Sequence, residues 1–104
     1  MTEAEPTLPL SMLGLTAQGG RDVAVSGLSV DSRKTRLGHL FAALPGVTWH
    51  VADFIDYALR MGAAAVLTDR EGVALARDVL DQNPGVPLVV AEDPRAALAM
   101  AAAL

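Results

Sequence analysis

Two short apolar runs, residues 63–67 and residues 86–91, constrain this chain more than any other feature of it. Each has the length of a strand rather than a helix and lacks polar alternation, so each reads as a strand buried on both faces. Helical segments flank both. Residues 52–61 carry Phe54, Ile55, Ala58 and Leu59 on one face at helical spacing, and Gly62 sits where a left-handed C-terminal cap belongs. Thr68 and Glu71 have the spacing of a capping box for a helix that runs to about residue 82 and ends in Asn83-Pro84-Gly85. Asp93-Pro94 supplies an N-cap and a first-turn proline for a last helix. The order helix, strand, helix, strand, helix implies crossover units and a parallel portion of sheet, which is the α/β class.

The first half is less regular. Residues 1–7 are polar and punctuated by proline, and are expected to form a flexible tail. Residues 8–15 suit a short helix ending near Gly14, and Gly19-Gly20 breaks the chain. Residues 23–30 alternate apolar with polar or small side chains as a strand with one wetter face does; residues 31–37 form a turn; residues 38–44 form a second strand stopped by Pro45-Gly46. That turn is too short for a crossover helix. The two strands it joins are therefore expected to pair antiparallel or diverge, giving a mixed sheet with helices on both faces.

The 104 residues suffice for one domain, and a 52% apolar content with only 4% aromatic residues points to small side chains packed closely on a sheet. No apolar run is long enough to span a bilayer, no signal-peptide pattern is present, and cysteine is absent, which fits a cytoplasmic location. Eight Lys and Arg against twelve Asp and Glu leave a net charge of −4, the wrong sign for a nucleic-acid surface. Phosphate-loop, dinucleotide-binding, zinc-protease and nucleophile-elbow motifs are all missing. The two histidines, His39 and His50, have no ligand-spaced partners, so no metal site is expected.

Two loops at strand ends remain as candidates, because open α/β sheets place ligands there. Asp31-Ser32-Arg33 offers a carboxylate, a hydroxyl, a guanidinium fork and consecutive backbone N–H groups, a set able to hold a diphosphate or a sugar. The same three residues also suit an Asx turn with a salt-bridged corner. After the second strand, Gly46 allows close backbone approach, Thr48 offers a hydrogen bond and Trp49 offers a flat face for a ring; a core plug is the alternative role for Trp49.

The stretches VSGLSVDSRKTRLGHLFAALPG and DFIDYALRMGAAAVLTD together resemble the N-terminal domain of the Mur ligases, above all the MurE branch. The shared pattern is a strand ending in Asp-Ser-Arg, then Gly-x-Leu-Phe-x-Ala-x-x-Gly, then a helix opening with Phe-Ile ahead of Gly-Ala-x-Ala-Val. The MurF branch shares much of it, and a non-catalytic α/β interaction module is the rival from another class. The resemblance implies that the chain holds the UDP end of UDP-N-acetylmuramoyl-L-Ala-D-Glu. It implies substrate-binding roles for Val30 and Ser32 at the first turn and for Val47, Thr48 and Trp49 at the second. Ser32 is then a donor to a phosphate oxygen, with Arg33 assisting or holding Asp31.

No catalytic residue is expected here. The family's reaction uses ATP and Mg²⁺ to activate a carboxylate that the amine of meso-diaminopimelate, or of L-lysine, then attacks, and the resemblance implies that this machinery lies in remaining domains of a longer parent ligase. The uncapped Ala-rich helix at the end of the chain fits that expectation. One departure from the pattern is His50-Val51 where the family has Asp-Gly; valine resists a positive φ, so the backbone there is expected to differ.

Overall fold

The computed structural model describes residues 7–44 and 50–103. A two-residue strand, β1 (Leu8–Pro9), leads into a 3₁₀ turn (Leu10–Leu13) that ends at Gly14, where the sequence suggested a short helix. The alternating segment at 23–30 divides into β2 (Ala24–Val25) and β3 (Gly27–Ser29), which belong to different sheets. Ser26 is the break: its N–H donates to the Gly38 carbonyl at 2.9 Å and its hydroxyl to the Leu37 carbonyl at 3.2 Å. β1 and β2 form an antiparallel ribbon, with Leu8 opposite Val25.

The main sheet has four strands in the order β3, β4 (His39–Ala42), β5 (Ala65–Thr68) and β6 (Leu88–Val90), and all three pairings are parallel. Both strand senses expected of a mixed sheet are thus present, but in two separate sheets. The pairing of β3 with β4 departs from the antiparallel or divergent expectation. A single 3₁₀ turn, Ser32–Lys34, followed by an extended Thr35, carries the chain from the end of β3 to the start of β4 without a crossover helix.

α1 (Val51–Arg60) connects β4 to β5, and α2 (Arg70–Leu75) with α3 (Arg77–Asp81) connects β5 to β6. The single helix expected at 70–82 is broken at Ala76, a buried residue whose φ of −104° and ψ of 18° lie outside the helical region. The N-cap of α2 is Asp69 rather than Thr68: its carboxylate accepts from the Gly72 N–H at 2.8 Å. Thr68 is the last residue of β5, fully buried, and donates to the Ala43 carbonyl at 3.0 Å. The last helix, α4 (Pro94–Ala103), begins as expected, with the Asp93 carboxylate accepting from the Ala96 N–H at 3.0 Å.

Alternation along the strands sends side chains to two cores. Leu40, Ala42, Ala65, Leu67 and Val89 pack with Leu10, Leu13, Val25 and Ala101 on one face, under the 3₁₀ turn, the ribbon and α4. Phe41 and Val66 pack with Val51, Ile55, Ala58 and Ala76 on the other, under α1 to α3. Helices therefore cover both faces, as an all-parallel sheet requires. No helix among the described residues is long and apolar enough to cross a membrane.

Gly62 closes α1 as expected, at φ 104°, and its carbonyl accepts from the Gly38 N–H at 2.8 Å. A Cβ there meets the Leu37 Cα at 2.8 Å. Gly62→Ala is expected to destabilise the fold by about 1–2 kcal/mol from the left-handed backbone alone, and further through the backbone clash. Urea unfolding checks this: the midpoint falls with an unchanged slope, and an unchanged midpoint contradicts it.

Candidate functional site

Parallel pairing turns the C-terminal ends of β3 and β4 toward the same edge of the sheet. At that edge the chain leaves β3 through Val30 and turns at Asp31. The Asp31 carboxylate accepts from the Arg33 N–H at 3.0 Å and from the Arg33 guanidinium at 3.1 and 2.9 Å, an Asx turn locked by its own ion pair. The Asp31 carbonyl accepts from the Lys34 N–H at 2.9 Å, and Ser29 and Thr35 share a buried hydrogen bond of 3.0 Å behind the turn. Of the two roles open to Arg33, the geometry gives it that of holding Asp31.

Two adjoining cavities lie along this edge. One, of about 490 Å³, is lined by Val30, Asp31, Ser32, Arg33, Phe41 and Phe54. The other, of about 350 Å³, is lined by Val30, Phe41, Ala43, Leu44, Val51, Phe54 and Arg95. They share Val30, Phe41 and Phe54 and so form one groove with an apolar saddle. The first end is polar; the second is apolar apart from one guanidinium.

The two described residues that the sequence singled out for binding, Val30 and Ser32, therefore meet in one cavity. Val30 is 57% exposed, unusually high for valine beside a core, and presents its side chain to the groove. Ser32 is only 8% exposed, and among the described residues its hydroxyl has no hydrogen-bond partner. Val47, Thr48 and Trp49 lie outside the described residues. The residues that flank that segment, Leu44 and Val51, both line the apolar cavity.

The replacement of Asp-Gly by His50-Val51 resolves in an unexpected way. The positive φ of 69° falls on His50, a residue type that tolerates it better than valine does, whereas Val51 is helical and buried. The His50 Nδ1 lies 3.5 Å from an Asp53 carboxylate oxygen.

Sequence reasoning missed two lining residues. Phe54 was assigned to the core face of its helix, yet it is 39% exposed and forms part of the saddle. Arg95 comes from the far end of the chain, and no local pattern links it to Val30.

A rival cavity of about 520 Å³ lies at the ends of β5 and β6, lined by Gln18, Asp69, Arg70, Glu71, Val90, Ala91 and Glu92. With three carboxylates against one guanidinium, it disfavours an anionic ligand. The groove at β3 and β4 carries one carboxylate, Asp31, and two guanidiniums, Arg33 and Arg95.

A family model described as "Mur ligase family, catalytic domain" matches residues 24–104. A curated UDP-N-acetylmuramoyl-L-alanyl-D-glutamate--2,6-diaminopimelate ligase from Streptomyces coelicolor is 44% identical over 91 residues, which cover 88% of this chain and 17% of that protein. The protein of the same name from Caulobacter vibrioides is 43% identical over 82 residues, 79% of this chain and 15% of its own length. A UDP-N-acetylmuramyl-tripeptide synthetase from Leifsonia xyli is 39% identical over 95 residues, covering 90% of this chain and 18% of that one. The chain thus spans less than a fifth of these relatives.

The Arg33 hydrogen bonds, side chain first and backbone N–H second, hold the Asp31 carboxyl below its ordinary value of 3.8. A depressed pKa means that the turn's added order is present above the ordinary carboxylate range and is lost as pH falls through the lowered value. NMR is expected to show the Arg33 Nε–H signal shifting toward its free position only in that acidic window, and to show no such step in Asp31→Ala. An Asp31 carboxyl that titrates at the ordinary value contradicts the locked turn.

Proposed function

This chain belongs to the Mur ligase family, and we propose that it is the part of a MurE-type ligase that holds the nucleotide end of a UDP-N-acetylmuramoyl-dipeptide substrate. The observation that carries this reading is the groove itself. It joins Val30 and Ser32 to an apolar saddle, and it lies at the one end of the sheet edge where guanidiniums outnumber carboxylates. A nucleoside diphosphate has the matching halves, a flat ring and a strongly anionic tail.

In this reading the ring lies in the apolar cavity against Phe54 and Val30, and the diphosphate lies at the polar end. The Ser32 hydroxyl, not engaged by any described residue, donates to a phosphate oxygen. Arg33 neutralises Asp31, which otherwise repels the phosphates, and this is why an acidic residue is tolerated in the first turn. Val47, Thr48 and Trp49 complete the ring's enclosure from the second loop.

The remaining chemistry belongs to other domains of a parent ligase. The relatives are named as ligases that join 2,6-diaminopimelate to UDP-N-acetylmuramoyl-L-alanyl-D-glutamate, and the family resemblance implies that the parent's reaction uses ATP with Mg²⁺. The residues here do not fit those groups: the sequence has no Gly-Lys-Thr phosphate loop, and the described residues include no cluster of three metal-ligating side chains. The chain's part in the reaction is to anchor the substrate far from the bond that forms. With this reading goes the expectation that the chain works in the cytoplasm.

UDP added to the chain is expected to bind in the millimolar to high-micromolar range, because only part of the substrate's contact surface is present to offset the entropic cost of association. The single tryptophan, Trp49, reports it. UDP should change its fluorescence saturably, and inorganic pyrophosphate should change it little. Ser32→Ala should weaken UDP binding by about 10- to 100-fold, equivalent to about 1.5–3 kcal/mol for a donor to a charged acceptor. Unchanged affinity together with a large fall in melting temperature contradicts the assignment and makes Ser32 a structural residue.

A further inference from the structure

We infer that Thr35, fully buried behind the first turn, is the residue that aims Ser32 at the diphosphate: its hydroxyl and its N–H hold the peptide groups on either side of Ser32. The inference rests on the nucleotide reading above and adds a positioning residue to it.

Three observations support it. First, Thr35 reaches both of those peptide groups. Its hydroxyl donates to the Asp31 carbonyl at 3.4 Å, and its N–H donates to the Ser32 carbonyl at 3.3 Å. The Asp31 carbonyl belongs to the peptide plane that precedes the Ser32 Cα, and the Ser32 carbonyl to the plane that follows it. Holding both planes holds the two soft dihedrals of Ser32, and these set the direction of its Cα–Cβ bond.

Second, the Thr35 hydroxyl is itself held. It lies 3.0 Å from the Ser29 hydroxyl in a buried pair. Thr35 has one hydroxyl proton and the Asp31 carbonyl takes it, so Ser29 is the donor within that pair. The bonds then run in one direction, from the end of β3 through Thr35 to the turn.

Third, Thr35 is only 1% exposed and is not part of the groove's lining, whereas Ser32 lines its polar end. An effect of Thr35 on a ligand in the groove therefore passes through the turn. A donor on a loose turn must be ordered when the ligand arrives, and the lost entropy weakens binding. A turn ordered in advance avoids that loss.

The test measures binding of UDP and inorganic pyrophosphate to the chain by NMR shift titration, for wild type, Thr35→Val, Thr35→Ser, Ser32→Ala and the double variant Ser32→Ala/Thr35→Val. The expected result is that Thr35→Val, which keeps the shape and the N–H and loses the hydroxyl, weakens both ligands by about three- to tenfold. Thr35→Ser, which keeps the hydroxyl, binds both as wild type does. In the Ser32→Ala background Thr35→Val has no further effect, because the donor that it aims is gone. Thermal unfolding of each variant checks that the fold is kept. Thr35→Val leaves the Ser29 hydroxyl without its acceptor; if that variant does not fold, Ser29→Ala/Thr35→Val removes both hydroxyls and carries the same comparison.

Two results overturn the inference while leaving the nucleotide reading intact. One is unchanged UDP binding in Thr35→Val beside weakened binding in Ser32→Ala. The other is weakening by the same factor in both backgrounds, which makes Thr35 a structural residue with no tie to Ser32. A wild-type chain that takes up no UDP, or a Ser32→Ala variant that binds it normally, overturns the nucleotide reading or its Ser32 assignment, and this inference falls with it.

Discussion

Residues 30–38 must return the chain from the end of β3 to the start of β4 without a helix to carry it, and the rest of the site depends on how they do so. A parallel connection ordinarily takes a dozen or more residues. Here the Asx turn at Asp31 folds the chain back at once, and the buried Ser29–Thr35 hydrogen bond pins the returning segment against the strand it has just left. Gly38, at φ 86°, then turns the chain into β4 while its carbonyl accepts from Ser26. Antiparallel pairing of the same two strands puts the loop after β4 at the opposite edge from the Asp31 turn. Parallel pairing is what brings Val30 and Ser32 beside Ala43, Leu44 and Val51.

Electrostatics follow from the same turn. Arg33 is 82% exposed at its side chain, so its ion pair with Asp31 adds little to stability. Its effect is geometric: it fixes the turn and cancels a carboxylate at the polar end of the groove. The opposite end of the same sheet edge keeps Asp69, Glu71 and Glu92. One edge thus carries two cavities of opposite character, and in a chain with a net charge of −4 the groove at β3 and β4 is the one of the two suited to an anion.

The second half of the fold was legible because each element there has a local cause. Helical spacing marks α1, unbroken apolar runs mark β5 and β6, and Asp93-Pro94 marks the start of α4. The breaks were not legible. The alternation of residues 23–30 continues through Ser26, and only its bonds to Leu37 and Gly38 show that the strand changes sheet there. The α2 helix starts one residue later than Thr68 suggested because Thr68 is buried against Ala43, a contact that spacing cannot reveal. At the site, Val30 and Ser32 were legible through family resemblance, whereas Phe54 and Arg95 became visible only once the sheet had brought distant segments together.

The central claim is that the nucleotide groove lies at the ends of β3 and β4. Backbone amide shifts of the isotope-labelled chain during a UDP titration test it most directly. The account predicts saturable shifts concentrated at residues 30–33, 41–44 and 51–54, with residues 69–71 and 90–92 at the acidic cavity unmoved. Shifts concentrated at the acidic cavity, with the Asp31 turn unmoved, contradict it.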